Sequence, residues 1–328
     1  MPLTDGFGRF LFVRYLVLEI KQSVSFKITI LGSSGALPAY GRFPSAQLVE
    51  IQNRHFLVDC GEGAQMQLMR FQANLHRINH IFISHLHGDH YLGLMGLIFT
   101  MHLLRRTNDL HIYGHRGLDE IITTQLRCSK SAPGFKLVFH RLAQGDAKMI
   151  YEDEAVTVET IPLIHKLACS GFIFREKEKP RRIDKEKLPA GLLIQQIVSL
   201  KRGHDVVDQE GNLIHKNSDL TLPPRKSRSY AYCADTAYNE HLVEKIRRVD
   251  LLYHEATFTA DEESKASETL HSTAAHAATI ARKAEVSSLL LGHFSARYKD
   301  LDPILQEARK IFPPAELAVE GSTFTIED

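Results

Sequence analysis

Residues 84–97 read SHLHGDHYLGLMGL. His85, His87, Asp89 and His90 crowd into six consecutive positions, and the chain then turns apolar. The preceding NHIFIS is a run of β-formers and predicts a strand. The following YLGLMGLIFTMHLLRR predicts a strongly apolar helix. The dense polar cluster therefore occupies the loop of a strand–loop–helix unit. In extended backbone, residues two apart point the same way, so His85 and His87 can grip one metal ion. Asp89 and His90 come after a tight turn at Gly88 and can face a second point. Neutral imidazole and carboxylate suit Zn²⁺, with Mn²⁺ as the alternative. Solvated loop histidines are the plain alternative, and the strand–loop–helix setting argues against them.

The same pattern continues outward. FKITILGSSGALP starts as a strand and runs into a glycine turn, and SAQLVEIQNRHFLVDCGEG reads as two strands joined by Gln52-Asn53-Arg54. GAQMQLMRFQANLHRI has helical spacing; LHIYGH, a helix from Gly117 to about Cys128, and FKLVFH continue the alternation. Further strands are expected at AVTVETIPLIH, SGFIFREK, RSYAYCAD, VDLLYHEATF and SSLLLGHFS, with a helix at HSTAAHAATIARKAEV. Asp59, His85, His165, Asp235, His254 and His293 all fall where apolar strands end. In open α/β architecture the ligand site lies along such ends. No internal repeat or low-complexity tract is visible.

Bulk composition narrows the setting. The 328 residues allow one large domain or two modest ones, and 44% hydrophobic with 24% charged residues is ordinary for a globular chain. A net charge of +1 excludes polyanion binding by the whole surface, so such a partner needs a local patch. Cys60, Cys128, Cys169 and Cys233 are far apart and form no CxxC pair, which points to a reducing cytoplasm. The N-terminal FGRFLFVRYLVLEIKQ is too short, and too interrupted by Arg14, to span a bilayer. Residues 1–25 are read as an extension ahead of the core, with a short added strand as the alternative. The core is expected over 26–328.

Between about residues 175 and 228 the composition changes. The segment opens REKEKPRRIDKEK, closes PPRKSR and holds the amphipathic LPAGLLIQQIVSLKRG. It is too long for a plain loop, and its apolar middle favours a projecting arm with a small ordered tip.

HLHGDH resembles the HxHxDH signature of the metallo-β-lactamase superfamily, and VDCGEG looks like its first motif, carried by Asp59. The resemblance implies an α/β fold, a four-layer αβ/βα sandwich (metallo-β-lactamase fold), from about residue 26 onward. It implies two Zn²⁺ per subunit. One would take His85, His87, His165 and a shared Asp235; the other Asp89, His90, His293 and the same Asp235. Asp59 would brace the ligand loop.

Within that superfamily, DCGEGAQ, LGSSGALP, YHEATF, HSTAAHA, YCADTAY and LGHFSARY together resemble the ribonuclease Z family. That resemblance implies a zinc-dependent endoribonuclease that removes the 3′ trailer from precursor tRNA and leaves a 3′-hydroxyl. It implies a homodimer whose arm binds tRNA through Arg181, Arg182, Lys185, Lys187, Lys201 and Arg202. His254 would contact the scissile phosphate or protonate the leaving oxygen, with Glu255 beside it holding it protonated. His271, Ser272 and Thr273 would contact RNA at a helix start, although ordinary capping needs the same residues. Asp89 is read as a ligand first and a general base second.

Two departures from the family pattern stand out. Arg42 is followed by Phe43 where an Arg-Asn pair is usual, and the arm tip is reduced to LPAGLL. Two other classes share the same metal residues: a small-molecule phosphodiesterase or arylsulfatase, and a non-catalytic tRNA- or metal-binding protein.

Overall fold

A computed structural model describes residues 25–145 and 147–328. Apart from Ser25, the expected N-terminal extension lies outside the described residues. The chain divides into two compact units. One runs up to Arg141 and takes back Ala318–Ile326; the other holds Leu142–Leu317 and Glu327–Asp328.

The first unit is built on a seven-stranded sheet. Its strands are β1 (Phe26–Gly32), β2 (Ala46–Ile51), β3 (Arg54–Cys60), β4 (Ile78–Phe82), β5 (Leu110–Gly114) and β6 (Leu137–Arg141), with Thr323–Thr325 added beside β1. β2 and β3 form a hairpin around Gln52 and Asn53, both at positive φ (46° and 71°), the backbone of a tight two-residue turn. From β3 to β6 the pairing is parallel. One sheet face is apolar (Leu57, Ile81, Ile112) and buries Leu68, Leu94, Leu97, Ile98 and Ile122 of three helices, Ala64–Arg70, Leu94–Leu103 and Leu118–Cys128. That strand–helix alternation is what the apolar periodicity predicts.

The second unit repeats the plan. β7 (Met149–Glu152), β8 (Val156–Pro162) and β9 (Ser170–Glu176) pair antiparallel, and β9 pairs antiparallel with β14 (Ser229–Cys233). β14, β15 (Leu251–Glu255), β16 (Ser288–Gly292) and β17 (Ala315–Leu317) then run parallel. Both sheets therefore have three antiparallel pairings followed by three parallel ones. This repetition is one of topology and leaves no trace in the sequence. Every residue of β14 and β15 is buried, as expected for central strands covered on both faces.

The arm lies within the second unit. Arg175 still belongs to β9, so the excursion begins at Lys177 rather than at 175. It contains β10 (Arg182–Ile183) paired with β13 (Thr221–Leu222), β11 (Val206–Val207) paired with β12 (Leu213–His215), and the helix Ile194–Lys201. Leu200, Val206 and Leu220 bury one another with Ile183 and Leu192 against them, a small core that orders the arm. At its neck, Glu176 accepts from Arg228 through the backbone N–H (3.0 Å) and two guanidinium nitrogens (2.9 and 2.8 Å). Both side chains are buried, and Lys179 Nζ adds a second cation 2.8 Å from the Glu176 carboxylate.

Candidate metal centre

In the first unit, β4 ends at Phe82 and two further residues, Ile83 and Ser84, lead to His85. His87 is still extended (φ −73°, ψ 144°), and Gly88–Tyr91 form one turn of helix carrying Asp89 and His90. The His90 N–H donates to the His87 carbonyl at 3.0 Å, so the expected tight turn forms at Gly88 without a left-handed backbone there. The close approaches are made by Gly61 and Gly93. A Cβ on Gly61 would stand 2.3 Å from the Asp89 carbonyl oxygen, and one on Gly93 would stand 2.1 Å from the Gly61 carbonyl. The Gly93 N–H donates to Cys60 at 2.9 Å. The ligand loop is thus pressed onto the end of β3.

Asp59 also ends β3. It is fully buried and left-handed (φ 54°), an unusual backbone for a non-glycine residue and one that recurs at functional sites. Its carboxylate accepts from the Ser84 N–H (2.7 Å), the Ser84 hydroxyl (2.9 Å) and His90 Nδ1 (2.8 Å). That bond commits Nδ1 of His90 and leaves Nε2, 3.5 Å from Asp89 Oδ2, to face away from Asp59. Asp89 Oδ2 accepts from the Ala36 N–H at 2.7 Å. His85 Nε2 and His87 Nδ1 stand 2.9 Å apart. Two ring nitrogens that close need a proton or a cation between them.

In the second unit, Asp235 follows β14, His165 lies three residues past β8, and His293 follows β16 with φ 58°. His293 Nε2 is 3.2 Å from Asp235 Oδ1, and His165 Nε2 is 3.8 Å from Asp235 Oδ2. Each ring gives its Nδ1 to the protein: His165 to the Leu270 carbonyl (3.0 Å), His293 to the Thr257 hydroxyl (2.8 Å). Burial lowers the pKa of His165 and Asp235 opposes it, so the neutral ligand form is favoured. One ligand atom each from Asp235, His271 and His293 fits within 4.8 Å. Both units thus carry imidazole and carboxylate donors with their other atoms tied down, a donor set that fits Zn²⁺.

Glu255 is where the structure departs from expectation. Neighbouring residues on a strand face opposite sides, so its carboxylate turns away from the His254 ring. It accepts from the Thr236 N–H (2.6 Å), His271 Nδ1 (2.9 Å), the Thr257 hydroxyl (2.5 Å) and the Ser272 N–H (3.0 Å). Burial works to raise its pKa, and the charge and hydrogen bond of His271 more than reverse this. His254 instead donates Nδ1–H to the Glu255 backbone carbonyl at 2.7 Å. It is fully buried; burial lowers its pKa, against the opposing pull of the Glu255 carbonyl and charge, and its Nε2 has no hydrogen-bond partner among the described residues.

The HST segment is corrected as well. Ser272 is fully buried and its hydroxyl donates to the Thr236 carbonyl at 2.7 Å. Thr273 is buried and caps the helix Ala274–Lys283 by accepting from the His276 N–H at 3.1 Å. Neither hydroxyl is presented for RNA contact. His271 keeps some exposure and stacks on His293, with ring centroids 5.3 Å apart. Thr236, Thr257 and the Leu270 carbonyl were missed by sequence reasoning. Thr257 and its neighbours lie inside the quoted motifs, which was the only available signal.

On the arm, Arg182, Lys185, Lys187 and Arg202 are exposed. Arg181 and Lys201 are half-buried, and Arg181 is tied to Thr221 by a 2.8 Å hydrogen bond.

Comparison with known proteins decides the family. Over 308 residues the chain is 46% identical to ribonuclease Z of Bacteroides thetaiotaomicron, covering 92% of this chain and 96% of that one. The chain belongs to the ribonuclease Z family. It is a metal-dependent hydrolase of the endoribonuclease class. The crystal structure of human tRNase Z, short form, is 26% identical with a TM-score of 0.67, covering 92% of this chain and all of that one. YhfI of Bacillus subtilis, a metallo-β-lactamase fold protein, shares the fold at 20% identity and a TM-score of 0.65, covering 92% of this chain and 100% of that one. A family model described as anti-Pycsar protein Apyc1 matches residues 26–178, which ends at the base of the arm and short of Asp235 and His293. Among the described residues no helix is long and apolar enough to cross a membrane. None of the four cysteines is in a disulfide, and burial pushes the Cys233 thiol up to about 12.

Proposed function

We propose that the chain is a two-zinc endoribonuclease that removes the 3′ trailer from precursor tRNA and leaves a 3′-hydroxyl. The observation that carries this reading is the common geometry of His90, His165 and His293. Each commits Nδ1 to a protein acceptor and keeps Nε2 for a carboxylate-lined point. His85, His87, His165 and Asp235 would hold one metal; Asp89, His90, His293 and Asp235 the other. Bound metals would supply a water of lowered pKa and charge for the phosphate oxygens.

The chain's own residues do the rest. Asp59 fixes the tautomer of His90, and Thr257 does the same for His293. Glu255 anchors His271, Thr257 and the loop at Thr236, so its part is to hold the second half-site in shape. His254 offers a buried Nε2 to the scissile phosphate. It favours the neutral form until an anion arrives, and once protonated it can give its proton to the leaving 3′ oxygen. His271 is the exposed member of its motif and the one that can meet RNA. Arg182, Lys185, Lys187 and Arg202 give a nearly neutral chain the local positive charge that tRNA backbone contact requires. A homodimer in the cytoplasm is the setting this reading carries with it.

A small-molecule phosphodiesterase is the second reading. The same imidazole and carboxylate donor set would serve a small diester, and such a substrate does not need the arm. One experiment separates the two. Precursor tRNA with a 3′ trailer is incubated with and without chelator, zinc is restored, and the new end is mapped. A metal-dependent cut at the tRNA 3′ end is expected. An uncut precursor beside hydrolysis of bis-p-nitrophenyl phosphate would overturn the tRNA reading.

A further inference from the structure

Glu320 lies outside every motif, in the turn before the strand Thr323–Thr325. Gly321 follows it at φ 85° and donates its N–H to the Ile30 carbonyl (2.8 Å), while the Ile30 N–H donates to Ser322 (3.1 Å). The turn is thereby clamped to β1. A single oxygen, Oε1 of Glu320, accepts from the Ser33 N–H (3.1 Å), the Ser33 hydroxyl (2.9 Å) and the Phe43 N–H (3.2 Å).

Ser33 and Phe43 are the neck of a loop closed on itself. The Ser34 N–H donates to Phe43 (2.9 Å), its hydroxyl donates to Leu37 (2.8 Å), and Ala39 and Arg42 exchange both backbone hydrogen bonds (3.2 and 2.9 Å). From this loop Ala36, left-handed at φ 65°, gives its N–H to Asp89 Oδ2. Past the neck, Pro44 presses on Gly61, where an added Cβ would stand 2.7 Å from the Pro44 Cβ. The chain of contacts runs from Glu320 through the loop neck to Asp89 without leaving the first unit.

We infer that Glu320 is a positioning residue of the hydrolytic site: it holds the loop of residues 33–43 so that the Ala36 amide fixes the Asp89 carboxylate. The inference rests on the metal reading above. A carboxylate oxygen shared by three donors is a strong, charge-assisted staple, and losing it frees the loop neck. Its effect is transmitted through one backbone amide, so it is smaller than that of a residue touching a ligand directly.

The test is zinc affinity of the apo-protein, measured by competition with a chromophoric chelator, alongside kcat and KM. Glu320→Ala is expected to weaken zinc binding about 5–10-fold, below the range for direct partners of ligands. kcat should fall with it, while KM for the precursor stays within about twofold. Glu320→Gln keeps an acceptor oxygen and should recover most of the affinity. On an Asp89→Ala background, Glu320→Ala should add less than about twofold, because the path through Asp89 is gone. Wild-type zinc affinity with only a lower Tm would overturn the inference, and so would losses that multiply in the double variant. Should Glu320→Ala fail to fold, Ser33→Ala, which removes one of the three donors to Glu320, carries the test, and unchanged zinc affinity there overturns the inference. A wild-type chain that takes up no zinc would bring down the metal reading and this inference with it.

Discussion

Asp59→Asn isolates one hydrogen bond in a site full of them. Asn tolerates the left-handed backbone at φ 54°, so the main chain is left alone. The carboxylate accepts three bonds, two from Ser84 and one from His90 Nδ1. An amide has one acceptor oxygen and one NH₂ group, so it cannot accept from both sides. If its NH₂ faces His90, Nδ1 must become the acceptor and the ring proton moves to Nε2, the atom meant for metal. If it faces Ser84, two donors collide in a fully buried space. The first outcome should cost about 10–100-fold in zinc affinity, about 1.4–2.7 kcal/mol. The second should cost about 1.5–3 kcal/mol of folding stability. Zinc competition on the apo-protein and urea unfolding read the two separately. Wild-type values in both would refute the claim that Asp59 sets the orientation and tautomer of His90.

Other consequences follow from the same contacts. His87→Ala should abolish cleavage and lower bound metal by elemental analysis; a fully active, metal-depleted variant would sink the metal reading. Gly61→Ala must displace either the Asp89 carbonyl or Pro44, so urea unfolding should show about 1–3 kcal/mol lost, with kcat falling further than stability alone explains. Arg228→Met removes the guanidinium bonds to buried Glu176 and leaves Lys179, 2.8 Å away, as a cation beside it, so it should destabilise by about 1–3 kcal/mol in urea unfolding. Replacing the arm between Lys177 and Ser227 by a short linker should cut turnover of precursor tRNA by orders of magnitude and spare a small diester. Equal losses on both substrates would show that the arm serves folding instead.

The alternation of strands and helices was legible because apolar period and turn residues are local properties. The ligand loop was legible for the same reason: His85, His87, Asp89 and His90 are neighbours in the chain. Legibility failed where one side chain reaches another far away. Glu255 was paired with His254 because they are adjacent, yet adjacent strand residues face opposite ways and its carboxylate serves His271, Thr257 and Ser272. That alternation was available from the strand assignment itself. Ser272 and Thr273 looked like anion contacts because hydroxyls at a helix start suit either anions or capping. Only burial separates the two.

By itself, then, the sequence determined the order of the elements, the residues able to bind metal and the presence of an arm, because residue type and spacing act within a few positions. The tertiary structure alone decided which nitrogen of His90, His165 and His293 is committed to a protein acceptor. That choice belongs to acceptors distant in the chain: Asp59 for His90, Leu270 for His165 and Thr257 for His293. It also brought Glu320 to Ser33, 287 positions away, a contact that strand pairing creates and that no local pattern encodes.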